Sequence, residues 1–144
     1  MDKNIQFHIA KINTVQFATV ESAYPELPES KIETTFQLYF NIDDTNRLVR
    51  CGINLDFENE KLPFIILDVN CEFAIAKDSW QTSLKDDNKI EFEKGFAQHL
   101  AVLTVGTARG VLHAKTENTK FNKYLLPTIN LTELFSENIT FQLS

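Results

Sequence analysis

From residue 4 to residue 76 the chain alternates apolar and polar positions in four runs, the pattern of strands buried on one face. In the first run, 4–20, Ile5, Phe7 and Ile9 keep step, Ile12 falls out of it, and Val15 and Phe17 resume. A β-bulge near Ala10 to Ile12 accounts for the slip. The second run, 32–43, is the cleanest. Ile32, Thr34, Phe36, Leu38, Phe40 and Ile42 share one face, and Glu33, Thr35, Gln37, Tyr39 and Asn41 the other. In the third, 47–58, Val49, Cys51, Ile53, Leu55 and Phe57 point inward. In the fourth, 64–76, Ile65, Leu67, Val69, Cys71, Phe73 and Ile75 do so, with Phe64, Ile66, Asp68, Asn70 and Glu72 opposite. Asp43 to Asn46 and Glu58 to Pro63 read as turns, and the proline-bearing stretch 21–31 as a longer connection carrying Tyr24 and Leu27. Strands joined this way favour an antiparallel sheet. Its apolar face needs a cover.

The period changes after a polar connector, KDSWQTSLKDD at 77–87, in which Trp80 stands alone and reads as a contact at the core edge or with another subunit. Asn88 to Lys115 contains no proline. Asn88 followed three residues later by Glu91 has the spacing of a capping box. Glu91 and Glu93 then fall in the first helical turn and His113 and Lys115 in the last, as the helix dipole favours. Such a helix would be roughly 40 Å long. Phe92, Phe96, Leu100 and Leu103 form its core stripe, but Leu100 to Val105 is apolar nearly all round, which implies burial on more than one side. Thr104, Gly106, Thr107, Ala108 and Gly110 add a small-residue surface. Each helical glycine costs about 1 kcal/mol relative to alanine, which close approach of another backbone would offset. The helix either packs wholly within one subunit or covers its sheet with one side and meets a second subunit with the other. The surplus of apolar faces favours the second arrangement, through Leu100, Leu103, Gly106, Thr107 and Gly110.

Residues 116–130 read as a loop into which Phe121, Tyr124, Leu125 and Leu126 crowd, so they need either the domain's own core or a bound partner. Asn130 and Glu133 repeat the capping spacing, predicting a short helix from Leu131 with Leu131, Leu134 and Phe135 as its apolar face. The tail, with Ile139, Phe141 and Leu143 in weak alternation, extends that helix, adds an edge strand, or frays.

Composition narrows the function classes. A chain of 144 residues is one domain on length, 1–144. A net charge of −6 argues against nucleic acid, whose phosphates need clustered Lys and Arg. No run reads as a secretion leader or reaches the length of a membrane span. Cys51 and Cys71 share the apolar phase of their strands and read as buried free thiols of a reducing cytoplasm. Twelve phenylalanines beside four glycines and four prolines give few turns and more aromatic surface than a small core needs. No nucleotide loop, nucleophile elbow, HExxH or paired CxxC occurs. His99 and His113 are fourteen residues apart on the helix, roughly 20 Å, too far to share a metal. The residues point to a binding protein whose asset is apolar surface, with no cofactor and no metal, rather than to an enzyme.

One local motif and the order of parts resemble a known family. Leu126 to Phe135, LPTINLTELF, resembles the stretch before and into the last helix of SecB, the bacterial protein-export chaperone. Phe7 to Ile12, FHIAKI, resembles that family's opening strand, and Phe64 to Val69, FIILDV, its fourth. The resemblance implies an α+β subunit: a four-stranded antiparallel sheet covered by one long helix, then a loop and a short C-terminal helix. It implies a cytoplasmic homotetramer, a dimer of dimers with the long helices at the interface. It also implies ATP-independent holdase activity toward unfolded polypeptide clients.

The family's client groove, carried onto matching segments, points to Tyr24, Leu27, Tyr39, Phe121, Tyr124, Leu125, Leu126 and Leu134. Leu126 and Leu134 fall inside the matched motif. Docking on the motor protein SecA is implied at Ile66 and Asp68, although Val15 and Gln16 stand where the first strand of the family carries an acidic position. The proline-and-tyrosine stretch of the family's long helix is replaced here by HLAVLTVG. Two further readings remain: a dedicated SecB-like chaperone or adaptor for one partner, such as the antitoxin of a toxin–antitoxin pair, and a small-molecule pocket between sheet and helix.

Overall fold

The four alternating runs become β1 (Phe7–Thr19), β2 (Ile32–Asp43), β3 (Leu48–Asn59) and β4 (Leu62–Ile75) of one antiparallel sheet. The computed structural model describes residues 4–27 and 30–143. The strand order is β1-β4-β3-β2, so β1 and β2 are the edges and the connection after β1 spans the sheet from one edge to the other. The β3–β4 hairpin turns on Glu60 and Lys61, both left-handed (φ 51° and 71°). Two successive left-handed residues give a tight hairpin the twist its strands require. The expected bulge in β1 is present, with a register shift between Ile9 and Lys11, and a second lies between Thr14 and Gln16.

β3 and β4 carry the core. Val49, Cys51, Ile53, Leu55 and Phe57 on β3 are buried, as are Ile65, Leu67, Val69, Cys71, Phe73 and Ile75 on β4. Burial pushes the Cys51 thiol up to about 12, so it behaves as a small apolar group. Phe64, expected on the opposite face, is also fully buried. The cause is a register shift: Phe57 pairs with Ile65 and Glu58 with Pro63, which leaves Phe64 as the extra residue of a bulge.

The connector at 77–87 is ordered structure rather than a polar link. α1 (Lys77–Ser79) runs into one π-helical turn, Trp80–Leu84, whose Trp80 and Leu84 are buried. Trp80 is core rather than an edge contact. Its indole N–H donates to Asp44 at 2.7 Å, and Lys85 reaches the same carboxylate at 3.0 Å. Those two donors hold the Asp44 carboxyl below the usual carboxylate range.

The long helix starts later than its sequence suggests. Residues 85–92 form a hairpin of β5 (Lys85–Asp86) and β6 (Lys89–Phe92), turning at Asp87 (φ 58°). Ile90 and Phe92 alternate inward on β6 and are fully buried, so Asn88 and Glu91 make no capping box and Phe92 no helical stripe. α2 (Lys94–Thr116) follows. Its buried residues, Ala97, Leu100, Ala101, Thr104, Val105, Ala108, Leu112 and Thr116, recur at three and four and lie over β3 and β4. Three alanines and a threonine whose hydroxyl donates to the Leu100 carbonyl (2.9 Å) let the helix sit close to the sheet.

The helix N-terminus is satisfied from the other end of the chain. Asn138 accepts from the Lys94 backbone N–H at 3.0 Å and donates to Glu91 at 2.9 Å. α3 (Leu131–Leu134) begins where expected, although Asn130 makes no side-chain cap bond. The tail then adds β7 (Ile139–Gln142) to β6, the edge-strand outcome among the three left open by its sequence. Replacing the cap, Asn138→Ala, is expected to lower stability by about 1 kcal/mol. In the same urea titration, Asn130→Ala should move it by less than about 0.5 kcal/mol.

Candidate functional site

Apolar residues on the edge strands extend beyond the cover of α2. β2 pairs in register with β3, which puts Phe36, Leu38 and Phe40 on the same face as the buried Leu55, Ile53 and Cys51. Phe40 is capped by Phe92 and Phe135, with ring centroids 6.2 and 6.0 Å away. Farther along, Phe36 is 37% exposed, and α3 presents Leu134 at 49%. Between them runs an open groove of about 390 Å³, lined by Phe36, Gln37, Leu38, Phe40, Leu134, Phe135 and Ile139. No charged side chain lines it; Glu133 and Glu137 are the exposed acidic residues of the α3 segment, and Glu33 and Asp43 have the phase of the outer face of β2.

A second apolar centre lies at the far end of the sheet. Tyr24 packs edge-on against Phe64, Phe121 and Tyr124 at 6.1, 5.2 and 6.2 Å, and Tyr124 packs on Phe57 and Phe64 at 5.9 and 4.9 Å. Burial is the main cause that raises the Tyr124 hydroxyl pKa. Lys120 stands over the Tyr24 ring at 4.1 Å, and Lys123 lies 5.5 Å from the Tyr124 ring centroid.

The predicted client residues therefore divide. Leu27 (62% exposed), Leu125 (58%) and Leu134 offer surface, and Tyr24 and Tyr124 are half-buried. Phe121 (4% exposed) and Leu126 (3%) are core residues, because the loop turns inward at the short helix Lys120–Lys123. Tyr39 belongs to the opposite face. It donates to Asp68 at 2.8 Å, accepts from Asn70 at 3.1 Å, and lies across Gly52, where an added Cβ would collide with its ring. Asn13 extends this network to Asn70 and Glu72. Its hydrogen bond, followed by that of Arg50, lowers the Glu72 pKa. Ile66 and Asp68 share this outer face, and Asp68 is already engaged by Tyr39.

Of the predicted interface residues, Leu100 is fully buried under its own helix and has no outward side. Leu103 and Thr107 are half-buried; Gly106 and Gly110 are exposed, with open space where a Cβ would stand. Phe36, Leu38, Phe40, Phe135 and Ile139 were missed as groove residues. Their alternation was visible, but it reads identically for a core face and for an uncovered one. Among the described residues no cluster of His, Cys, Asp or Glu could hold a metal ion, and no helix is long and apolar enough to cross a membrane.

No family model matches the sequence, and no characterised protein matches it by sequence. The architecture does have a counterpart. The chain is similar in structure to the Mycobacterium tuberculosis Rv1957 SecB-like chaperone, solved in complex with a ChAD peptide from the Rv1956 HigA1 antitoxin. The TM-score is 0.53 at 13% sequence identity, over 86% of this chain and 90% of that one. The fold is SecB-like. That agrees with the α+β arrangement expected from the Leu126–Phe135 motif. At this identity the SecB-like likeness carries the layout and leaves the side chains of each groove to be read on their own.

The division between core and surface is testable. Phe121→Ala should cost about 3–5 kcal/mol of unfolding free energy, the usual range for a buried ring. Leu125→Ser, one turn of chain away, should stay within about 0.5 kcal/mol. Equal losses in the two variants would mean that Leu125 is also core.

Proposed function

We propose that the protein is an ATP-independent holdase that binds unfolded polypeptide segments in the β2–α3 groove. The observation that carries this reading is a partly exposed apolar trough: Phe36 and Leu134 stand exposed beside half-buried Leu38, Phe40, Phe135 and Ile139, and the trough is open rather than a closed cavity. Burial of client apolar groups there yields about 25 cal/mol per Å² without side-chain-specific hydrogen bonding. Selectivity is then loose, and the net charge of −6 favours clients with basic residues beside their apolar ones. Leu27 and Leu125, exposed on neighbouring connections, extend the surface available to a longer client. Nothing in this activity requires a cofactor or bond chemistry.

A cytoplasmic homotetramer fits the exposed flank of α2. Phe96 and His99 of the helix touch Phe7 of β1, and Leu103, Gly106 and Gly110 continue the same stripe. Ile9, Ile12 and Val15 of β1 lie exposed at 42%, 51% and 57%. A second subunit on this side would shield both. Several grooves on one assembly would let a long client add weak contacts through high effective concentration.

Within the holdase reading, the antitoxin peptide held by the SecB-like neighbour favours a dedicated partner over general export. The first strand also lacks the acidic position associated with SecA docking. Ile66 and Asp68 remain the positions to test for that contact.

Stoichiometric protein should suppress aggregation of an unrelated denatured polypeptide, read by light scattering. Phe36→Ser combined with Leu134→Ser should weaken client binding by roughly 50-fold, since roughly 100 Å² of apolar contact is lost at about 25 cal/mol per Å². Unchanged affinity in a folded double variant would remove the groove from the mechanism. Separately, Gly110→Leu meets open space within the subunit, so it should leave circular dichroism intact while lowering the solution mass. An unaltered mass would exclude this flank from the interface.

A further inference from the structure

The connection after β1 and the turn after α2 come from distant parts of the chain and meet at one cation. Lys120 Nζ lies 2.6 Å from Glu21, 3.8 Å from Glu26 and 4.1 Å from the centre of the Tyr24 ring. The Tyr24 hydroxyl donates back to the Lys120 carbonyl at 3.3 Å. The Glu21 hydrogen bond is the largest cause that raises the Lys120 pKa, so this side chain stays charged at neutral pH.

The backbone of the connection is held lightly by comparison. Its turns close on themselves, Ala23 N–H to Val20, Tyr24 N–H to Glu21 and Ser30 N–H to Leu27. Asn59 anchors it up to the Ala23 carbonyl at 3.2 Å. Beyond that anchor, among the described residues, the ties from 24–27 to the body run through Tyr24, the Lys120 group and Lys123, which hydrogen-bonds Tyr24 and lies 5.7 Å from its ring. Beneath the Tyr24 ring lie Phe64, Phe121 and Tyr124, an aromatic floor at the end of the sheet away from the β2–α3 groove.

We propose that Lys120 is a salt-sensitive latch: it holds Tyr24 and residues 24–27 down on that floor, part of the client groove that the SecB resemblance implies, and its release uncovers the rings. Exposed ion pairs are individually weak and are screened by salt, and a cation over an exposed aromatic face is of similar size. A contact built from such terms is strong enough to set a resting position and weak enough to be displaced by a client. This inference rests on the holdase reading for its client but not for its mechanics.

Hydrogen exchange tests the latch. In Lys120→Met, which keeps the apolar stem and removes the charge, amides in 21–27 and 120–126 should exchange about three- to tenfold faster, and those of β3 and β4 should not change. Fluorescence of an apolar dye such as bis-ANS should rise in the variant. About 0.5 M salt should move the wild-type protein toward the variant and leave the variant where it is. Unchanged exchange, faster exchange in one segment alone, faster exchange throughout the sheet, or unchanged dye access would each overturn the latch. A labelled peptide with alternating apolar residues and a terminal lysine provides the separate arm. If it binds neither protein, the holdase reading fails while exchange and dye still decide the latch.

Discussion

A single helix is too narrow for a four-stranded sheet. Strands about 4.8 Å apart put the outer axes of four strands roughly 15 Å apart, and a helix with its side chains is about 10 Å across. α2 therefore seals β3 and β4, whose inward residues are all buried, and leaves the inward residues of β1 and β2 partly bare. The alanines along its buried face sharpen this, since short side chains lower the helix onto the central strands and give no reach toward the edges. The β2–α3 groove and the exposed apolar strip on β1 both follow from that mismatch.

The rest of the chain offsets part of the deficit and sets its limits. The hairpin β5–β6 and the tail strand β7 form a second, three-stranded sheet that packs Phe92 and Phe141 together at 5.3 Å and caps Phe40. Asn138 ties that tail to the start of α2, so the piece that closes one end of the groove also satisfies a helix donor. At the other end, the bulge at Phe64 turns one additional ring inward beneath Tyr24 and Tyr124. The open part lies between these two plugs.

Period-two alternation made the sheet legible, because a strand buried on one face leaves a direct record in sequence. The bounds that alternation predicts for β2 coincide with the strand, Ile32–Asp43, and the first β1 bulge shows as a lost step at Ile12. The start of α2 was not legible. Phe92, Phe96 and Leu100 keep helical spacing across a strand–helix junction, and the Asn88–Glu91 spacing suits a hairpin as well as a cap. Core and surface were also confused in the loop after α2. Phe121, Leu125 and Leu126 are equally apolar, and only the short helical turn at Lys120–Lys123 decides which of them point inward. Tyr39 lies in a segment that the SecB resemblance gives to the groove, whereas its phase along β2 puts it on the outer face.

The two edges of the sheet differ in a way that bears on what each can meet. β1 is interrupted twice in its register with β4, and such bulges spoil an edge as a template for indiscriminate strand pairing. β2 runs twelve residues against β3 without a shift. Its charged residues, Glu33 and Asp43, are both acidic and would repel another copy of the same edge. Bulges act on the backbone of any partner, and charge discriminates by the partner's own sign. An edge guarded by bulges suits a fixed contact made by side chains, as proposed for the α2–β1 flank. An edge of like charge disfavours its own kind and, in the holdase proposed above, suits a cationic, extended chain.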